Sequence, residues 1–308
     1  MARVFVTRAL PGDALERLAA AGHEVRVHPG DLPPTRDELL AGLADADGLL
    51  SLLTDRIDAA ALGAAPALRA IANYAVGCDN IDLAAADARG IPVGATPGVL
   101  TDATADLTLA LILAAARRLP EAQAAVLGGD WRTWEPSGWL GLELRGARLA
   151  VVGFGRIGRA VAERAEAFGM VVEPVGRTDD LHAALGRADV VSVHTPLTPA
   201  TRHLIDARAL AAMRPTAILV NTARGAIVDQ VALAAALRAG ALGAAALDVT
   251  DPEPLPAGDP LLQAPNLIVL PHVGSATVAT RERMTAMAVD NLLAALAGEP
   301  MPHPAART

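Results

Sequence analysis

The stretch Val151-Val152-Gly153-Phe154-Gly155-Arg156-Ile157-Gly158 limits what this chain can fold into more than any other part of it. Three glycines fall in the pattern G-x-G-x-x-G, directly after the apolar run LAVVG (149–153) and directly before the helix-forming run RAVAERAEAFG (159–169). In a strand–turn–helix setting each glycine has a physical task. Gly153 permits the tight turn, Gly155 lets the backbone approach a diphosphate, and Gly158 lets helix and strand pack closely. The positive end of the helix then faces the diphosphate, with Phe154, Arg156 and Ile157 completing the turn. Such a turn belongs to a parallel sheet flanked by helices.

The rest of the chain keeps the same rhythm. VFVT (4–7), HEVRVH (23–28), DGLLSLL (47–53), LRAIANYA (68–75) and IPVGAT (91–96) read as strands, and ALERLAAAG (14–22) as a helix closed by its glycine. TDATADLTLALILAAARRL (101–119) reads as one long helix, with Asp102 near its start and Arg117-Arg118 at its end to match the helix dipole. The loop GGDWRTWEPSGWLGLEL (128–144) separates it from a second alternation of LAVVG, MVVEPV, DVVSVH, AILVNT, GAAALDV and NLIVLPH. The expected fold is α/β, with two doubly wound Rossmann-like domains, parallel sheets and a cleft between them. Residues 1–99 form one domain, completed by a C-terminal helix at 283–308, and 100–282 form the dinucleotide-binding domain.

Composition agrees with this class and removes others. Apolar residues make up 52% of the chain but aromatics only 2%, so packing rests on Ala, Leu and Val. A net charge of −8 argues against nucleic acid or an anionic membrane as partner. There is no lysine, and the 26 basic residues are scattered arginines, which reads as coding bias. The longest apolar run, LTLALILAAA (107–116), falls short of the roughly 20 residues that span a bilayer. The N-terminus enters a strand pattern at once, leaving no room for a signal peptide, and the lone Cys78 has no internal disulfide partner. The expected location is the cytoplasm. No Cys/His pattern fits a metal site, and the chemistry below needs none.

The nucleotide itself is read at the end of the strand MVVEPV. Glu173 lies about 20 residues beyond the glycine turn, the usual spacing for a carboxylate on the adenine ribose of NAD. If the strand instead runs to Val175, the ribose meets Gly176-Arg177-Thr178. No carboxylate then repels a 2′-phosphate, and Arg177 and Thr178 can bind it, which favours NADP with NAD as the alternative. Asp179 and Asp180 add opposing charge, and Arg177 as a plain solvated arginine is the bland reading.

Three further residues stand at or just after strand ends, where such sheets bind ligands: Arg224 in NTARGAIVD, Glu253 in DVTDPEPLP and His272 in LPHVGSAT. Together they suit the reduction of a 2-oxo acid. A guanidinium grips the substrate carboxylate in bidentate fashion and fixes the neighbouring carbonyl over the nicotinamide. A histidine supplies the proton the new alkoxide needs, and a carboxylate beside it stabilises the imidazolium. Taken singly, each has an ordinary reading: Arg224 paired with Asp229, Glu253 and His272 as solvated loop residues. His194 is the rival histidine. It lies on the cofactor side, where Thr195 and Pro196 follow it as cofactor-contact candidates.

At this point the sequence resembles the D-2-hydroxyacid dehydrogenase family, and within it the glyoxylate/hydroxypyruvate reductase branch. The resemblance covers nearly the whole chain and is carried by NYAVGCDNID, RGIPVGATPGVLTDATADLTLALIL, VVGFGRIG, NTARG, DVTDPEPLP with PHVGSAT, and GEPMP. It implies that Arg224 binds the substrate carboxylate, His272 is the acid/base and Glu253 its partner. It implies further that the backbone of Val76 and Gly77 holds the carboxylate, that Leu53 and Ser275 lie near the substrate, and that Thr104 and Asp248 contact the nicotinamide end. By the same carry-over Trp139 reaches the partner subunit's site, with a buried loop anchor as its ordinary reading, while the apolar surface of the long helix from Thr101 and of the Trp loop points to a homodimer arm. The family usually has another strand after the position of Arg177, and that segment is absent here. Related readings are a dehydrogenase for phosphoglycerate, a bulkier oxo acid or phosphite, and a nucleotide-sensing corepressor without catalysis.

Overall fold

A computed structural model describes residues 1–306; Arg307 and Thr308, which close the expected C-terminal segment, lie outside the described residues. The chain forms two compact units, Met1–Leu100 with Ala276–Thr308, and Thr101–Ser275.

In the first unit, strands β1 (Arg3–Val6), β2 (Glu24–Val27), β3 (Gly48–Ser51), β4 (Ala70–Asn73) and β5 (Val93–Gly94) form a parallel sheet. Helices α1 (Glu16–Ala20), α2 (Arg36–Leu43), α3 (Ala59–Gly63) and α4 (Leu83–Ala88) connect them. The strand order is β2-β1-β3-β4-β5. Side chains set the helix starts: Thr35 and Glu38 make a capping box on α2, while Asp58 and Asp82 cap α3 and α4. The long helix at 278–296 packs back on this sheet, burying Met284, Ala288, Val289 and Leu292 among Val4, Val6, Leu50 and Ala72.

The second unit opens with α5 (Thr101–Ala116) and α6 (Leu119–Gly128). The single helix expected over 101–119 is therefore two. Arg118 takes a left-handed conformation at φ 51°, and Pro120 sits in the first turn of α6. Proline has no N–H for an interior helix bond but suits a first turn, so the chain breaks and restarts there. Then follow β6 (Arg148–Val152), α7 (Arg156–Ala167), β7 (Val171–Val175), α8 (Leu181–Arg187), β8 (Val190–Val193), α9 (Ala207–Ala212), β9 (Ile218–Asn221), α10 (Gln230–Arg238), β10 (Ala244–Leu247) and β11 (Leu267–Val269). The helix at 278–296, α11 (Val278–Leu296), returns the chain to the first unit.

The second sheet is also parallel, in the order β11-β10-β9-β8-β6-β7. Its inner strands β8, β9 and β10 are buried along their whole length, as a sheet covered on both faces requires. β7 is an edge strand, the place where Pro174 costs no ladder bond. As the sequence implies, no strand separates β7 from α8; residues 176–180 turn directly between them. No helix among the described residues is long and apolar enough to cross a membrane.

Candidate active site

The register of the second sheet aligns its strand ends. Val175, Val152, Val193, Asn221, Leu247 and Val269 lie in one row across β7, β6, β8, β9, β10 and β11. The glycine turn, His194, Arg224, Asp248 and His272 therefore all leave the sheet at the same edge.

The glycine turn has the geometry its sequence calls for. Gly153 has φ +95°, and a Cβ there would lie 2.7 Å from the His194 carbonyl carbon; a Cβ on Gly158 would meet the Gly153 oxygen at 2.2 Å. At Gly155, the residue before α7, a Cβ would meet nothing within 4 Å, so open space borders the helix start. The first amides of α7 have no partner within the helix and point toward that space. Beside the turn, the Thr195 hydroxyl is buried with no hydrogen-bond partner. An orphaned buried hydroxyl at the rim of an open glycine turn fits a dinucleotide. Pro196 is exposed next to it.

At the end of β7, Glu173 is ion-paired with Arg187 and lies mid-strand rather than at the edge. The Asp179 carboxylate accepts the Gly176 amide at 2.7 Å, and Asp180 caps α8 through the Ala183 amide at 3.0 Å. All three carboxylates around the turn after β7 thus have local partners.

His194 donates its backbone amide to Val152 O at 2.7 Å and shares a 2.7 Å bond between Nε2 and Ser192 Oγ. Burial pushes its imidazole down to about 4, although part of the residue keeps accessible surface. It is a neutral support under the glycine turn, not a partner of Glu253.

His272 is that partner. Its Nδ1 lies 2.8 Å from Glu253 Oε2, with both side chains about a quarter exposed at 25% and 27%. Glu253 is itself held, its Oε1 accepting the Thr250 amide at 3.0 Å. His272 has φ 54°, a conformation that costs a residue with a Cβ and persists only when neighbours enforce it. Asp248 does so. Its carbonyl accepts the His272 amide at 2.9 Å, and its two carboxylate oxygens accept the amides of Val273 and Gly274 at 2.7 Å each. Burial pushes the Asp248 carboxyl up, and these amides oppose the shift. Thr104 joins the same cluster through a 3.3 Å bond to Gly274 O, and Ser275 follows on the same turn.

Arg224 stands just after β9. Asn221 Nδ2 donates to its carbonyl at 2.8 Å, and its own Nη1 donates to Ala223 O at 2.9 Å. Asp229 spends its carboxylate on the cap of α10, through the Ala232 amide.

In the first unit, Leu53 and Val76 are exposed at the corresponding sheet edge. Among the described residues, the amides of Val76 and Gly77 donate to no acceptor. Two adjacent N–H groups are thus left open at this edge. The sequence reading passes over Asp55, Asn73 and Asn80, which lie buried or half-buried under these loops; their bonds are tertiary, and no local pattern marks them. Trp139 has φ 56° and is 46% exposed, on a loop where Trp131 and Trp134 are also exposed.

Comparison with known proteins adds a history to this geometry. A family model described as D-isomer specific 2-hydroxyacid dehydrogenase, NAD binding domain, matches residues 109–274. A glyoxylate reductase of Aeropyrum pernix is 48% identical over 318 residues, covering 98% of this chain and 95% of that protein. The crystal structure of a Thermus thermophilus protein is similar with a TM-score of 0.94 at 54% identity, covering 99% of this chain and 100% of that one. An NADPH-dependent glyoxylate/hydroxypyruvate reductase of Sinorhizobium meliloti, in complex with NADP and malonate, is similar with a TM-score of 0.85 at 34% identity over 99% of this chain and 97% of that one.

Proposed function

The chain belongs to the D-isomer specific 2-hydroxyacid dehydrogenase family and is a nicotinamide-dependent oxidoreductase of 2-oxo acids; within that family we propose that it uses NADPH to reduce glyoxylate or hydroxypyruvate to the D-2-hydroxy acid. The observation that carries the reading is the His272–Glu253 pair, held at the same sheet edge as the open glycine turn.

In this reading the nicotinamide cofactor, when bound, supplies the hydride. Arg224 takes the substrate carboxylate with its planar guanidinium, and the open amides of Val76 and Gly77 supply a second set of donors. His272 gives its proton to the oxygen that becomes the alkoxide, through the ring nitrogen not bound to Glu253. Glu253 fixes the imidazole orientation and compensates its positive charge. Asp248 keeps His272 in its unusual backbone conformation and, with Thr104, borders the nicotinamide end. Leu53 and Ser275 line the substrate. The diphosphate sits on the turn from Gly153 to Gly158, including Phe154, Arg156 and Ile157, with Thr195 and Pro196 beside it. Arg177 and Thr178 take the 2′-phosphate. That choice is supported by the local partners of Glu173, Asp179 and Asp180, which turn those carboxylates to other tasks. The exposed Trp loop pairs two copies into a homodimer, with Trp139 reaching the partner subunit's substrate, and the enzyme works in the cytoplasm.

The test is the rate of absorbance loss with glyoxylate and hydroxypyruvate, using NADPH and NADH side by side, for wild type, Arg177→Ala and His272→Ala. The expected result is turnover favouring NADPH, a KM for NADPH raised about 10-fold or more by the Arg177 change, and kcat lowered about 10²–10⁴-fold by the His272 change. Equal or better use of NADH by the wild type would remove the 2′-phosphate role from Arg177.

A further inference from the structure

Two loops leave the first sheet beside each other. One follows β3 and carries Leu53; the other follows β4 and carries Val76 and Gly77. Their apolar side chains are exposed, Leu53 by 37% and Val76 by 40%, while the polar side chains beneath them are not. Asp55 is 3% exposed, and Ser51 and Asn73 have no accessible surface. This is the reverse of ordinary burial, and a buried polar layer must be fully paired to be tolerated.

The layer is paired throughout, and several of its bonds fix backbone as well as side chains. Asn80 Nδ2 donates to Leu52 O and to Asp55 O, both at 3.0 Å, which uses both of its protons. Asn80 O accepts the Ile57 amide at 2.9 Å, so one residue of the second loop holds the first loop at three points. Asn73 Nδ2 donates to Asn80 Oδ1 at 3.0 Å and to Gly77 O at 2.9 Å, and Asn73 Oδ1 accepts from Ser51 Oγ at 3.1 Å. Asp55 accepts the Leu52 amide at 2.7 Å and the Thr7 hydroxyl at 2.5 Å.

The peptide geometry turns this into an effect on the exposed donors. In a trans peptide the carbonyl of one residue and the N–H of the next point in opposite directions. Leu52 O is drawn inward to Asn80, so the Leu53 N–H points outward. Ala75 O is drawn to the Thr96 amide at 2.9 Å, so the Val76 N–H points away from the sheet as well. The amides offered to an anion are thus set by what holds the carbonyls behind them.

We propose that Asn80 is a positioning residue for the substrate: its carboxamide clips the 52–57 loop to the 76–81 loop and presets the outward amides of Leu53 and Val76 that receive the 2-oxo acid. The proposal rests on the substrate role given to the Val76–Gly77 turn above. Asn80 itself does not touch the substrate. Its effect falls on substrate affinity and not on proton or hydride transfer.

The experiment is steady-state kinetics of the full chain with glyoxylate and NADPH, for wild type, Asn80→Ala and the isosteric Asn80→Asp. Glyoxylamide, which lacks the carboxylate, serves as the reference substrate. Both variants should raise KM for glyoxylate about 10-fold, the effect of losing two neutral hydrogen bonds. The KM for NADPH and the pH profile of kcat should stay as in the wild type, with kcat changed by less than about threefold. Asn80→Asp keeps the volume, so it reports even where Asn80→Ala folds poorly. Wild-type KM for glyoxylate in either folded variant overturns the proposal, as does a parallel loss in KM for NADPH, which marks a general structural role. If the wild type uses glyoxylamide as well as glyoxylate, the carboxylate reading falls, and the proposal falls with it.

Discussion

The two sheets are wound in the same order, β2-β1-β3-β4-β5 and β7-β6-β8-β9-β10-β11, so β1 and β6 hold equivalent places. The turns that leave them have opposite fates. After β6, α7 runs from Arg156 to Ala167, and the space at Gly155 is open. After β1 the chain passes Pro11 and Gly12 into α1, a helix of five residues. There a Cβ on Gly12 would meet the Glu282 side chain of α11 at 3.2 Å, so α11 packs against this turn. One winding thus yields one open turn and one turn packed against a helix. The fold supplies the place, and a few residues decide whether anything can occupy it.

The sharpest way to break that comparison is to close the open turn. Gly155→Val puts a branched side chain in the space beside the helix start. It should raise the Kd for NADPH at least about 100-fold, on the scale of losing two charge-assisted hydrogen bonds. Titration of cofactor fluorescence measures it. Gly12→Ala, at φ +81° in the turn packed against α11, should leave that Kd unchanged and cost about 1 kcal/mol of stability, read from a denaturant melt. If Gly155→Val binds NADPH normally, the diphosphate does not use this turn.

The contrast also separates what the sequence discloses from what it conceals. The open turn is legible in GFGRIG because three glycines within six residues answer a local backbone demand. The parallel α/β architecture is legible too, since each strand carries its own apolar run. The break at Arg118 is written as Pro120, but the continuous apolar pattern on both sides masks it. His272 and Glu253 are nineteen residues apart, and it is their places at strand ends, together with motif resemblance, that suggest they meet. The Asn80 clip is not legible at all. Asparagine serves in turns, caps and cores alike, and its partners Leu52 and Asp55 come from a different strand end. Motif resemblance marks Asp248 as a nicotinamide contact, while its hold on the His272 turn emerges only from the backbone hydrogen bonds.

A second difference between the units lies in their carboxylates. Asp55 in the first unit accepts from a hydroxyl and an amide, whereas Glu253 in the second accepts from an imidazole. Only the latter faces an imidazole, a partner able to carry a proton. Glu253→Gln keeps the size and one acceptor but removes the charge opposite the imidazole. The expected loss in kcat is about 10- to 100-fold, smaller than for removing His272 itself. The pH profile of kcat should move, while the KM for NADPH should not. Unchanged kcat and profile would leave Glu253 as a loop support through Thr250.

The smallest expected effect concerns the row beside the two turns. By register, His194 lies next to Gly153 in the second unit where Ser51 lies next to Thr7 in the first. Serine does not titrate in the ordinary range, but His194 does, with its imidazole pushed by burial from 6.5 to about 4. Between those values the unfolded chain binds a proton at this residue and the folded chain does not, so stability rises with pH across the window and falls as pH is lowered through it. From pH 7.5 to 5.5 the loss from His194 alone should be about 1 kcal/mol, allowing for its partial accessibility. Asp55 and Asp248, whose carboxyls burial pushes up, act with the opposite sign, gaining stability as they take up protons at lower pH. The difference between wild type and His194→Gln isolates the histidine, because both chains keep those carboxyls and glutamine can still reach Ser192 Oγ. Denaturant melts at the two pH values should show a steeper loss for the wild type by that amount. Identical losses would mean that the imidazole under the glycine turn is protonated as readily in the folded chain as in the unfolded one, and that this edge of the second sheet is as indifferent to pH as its counterpart in the first.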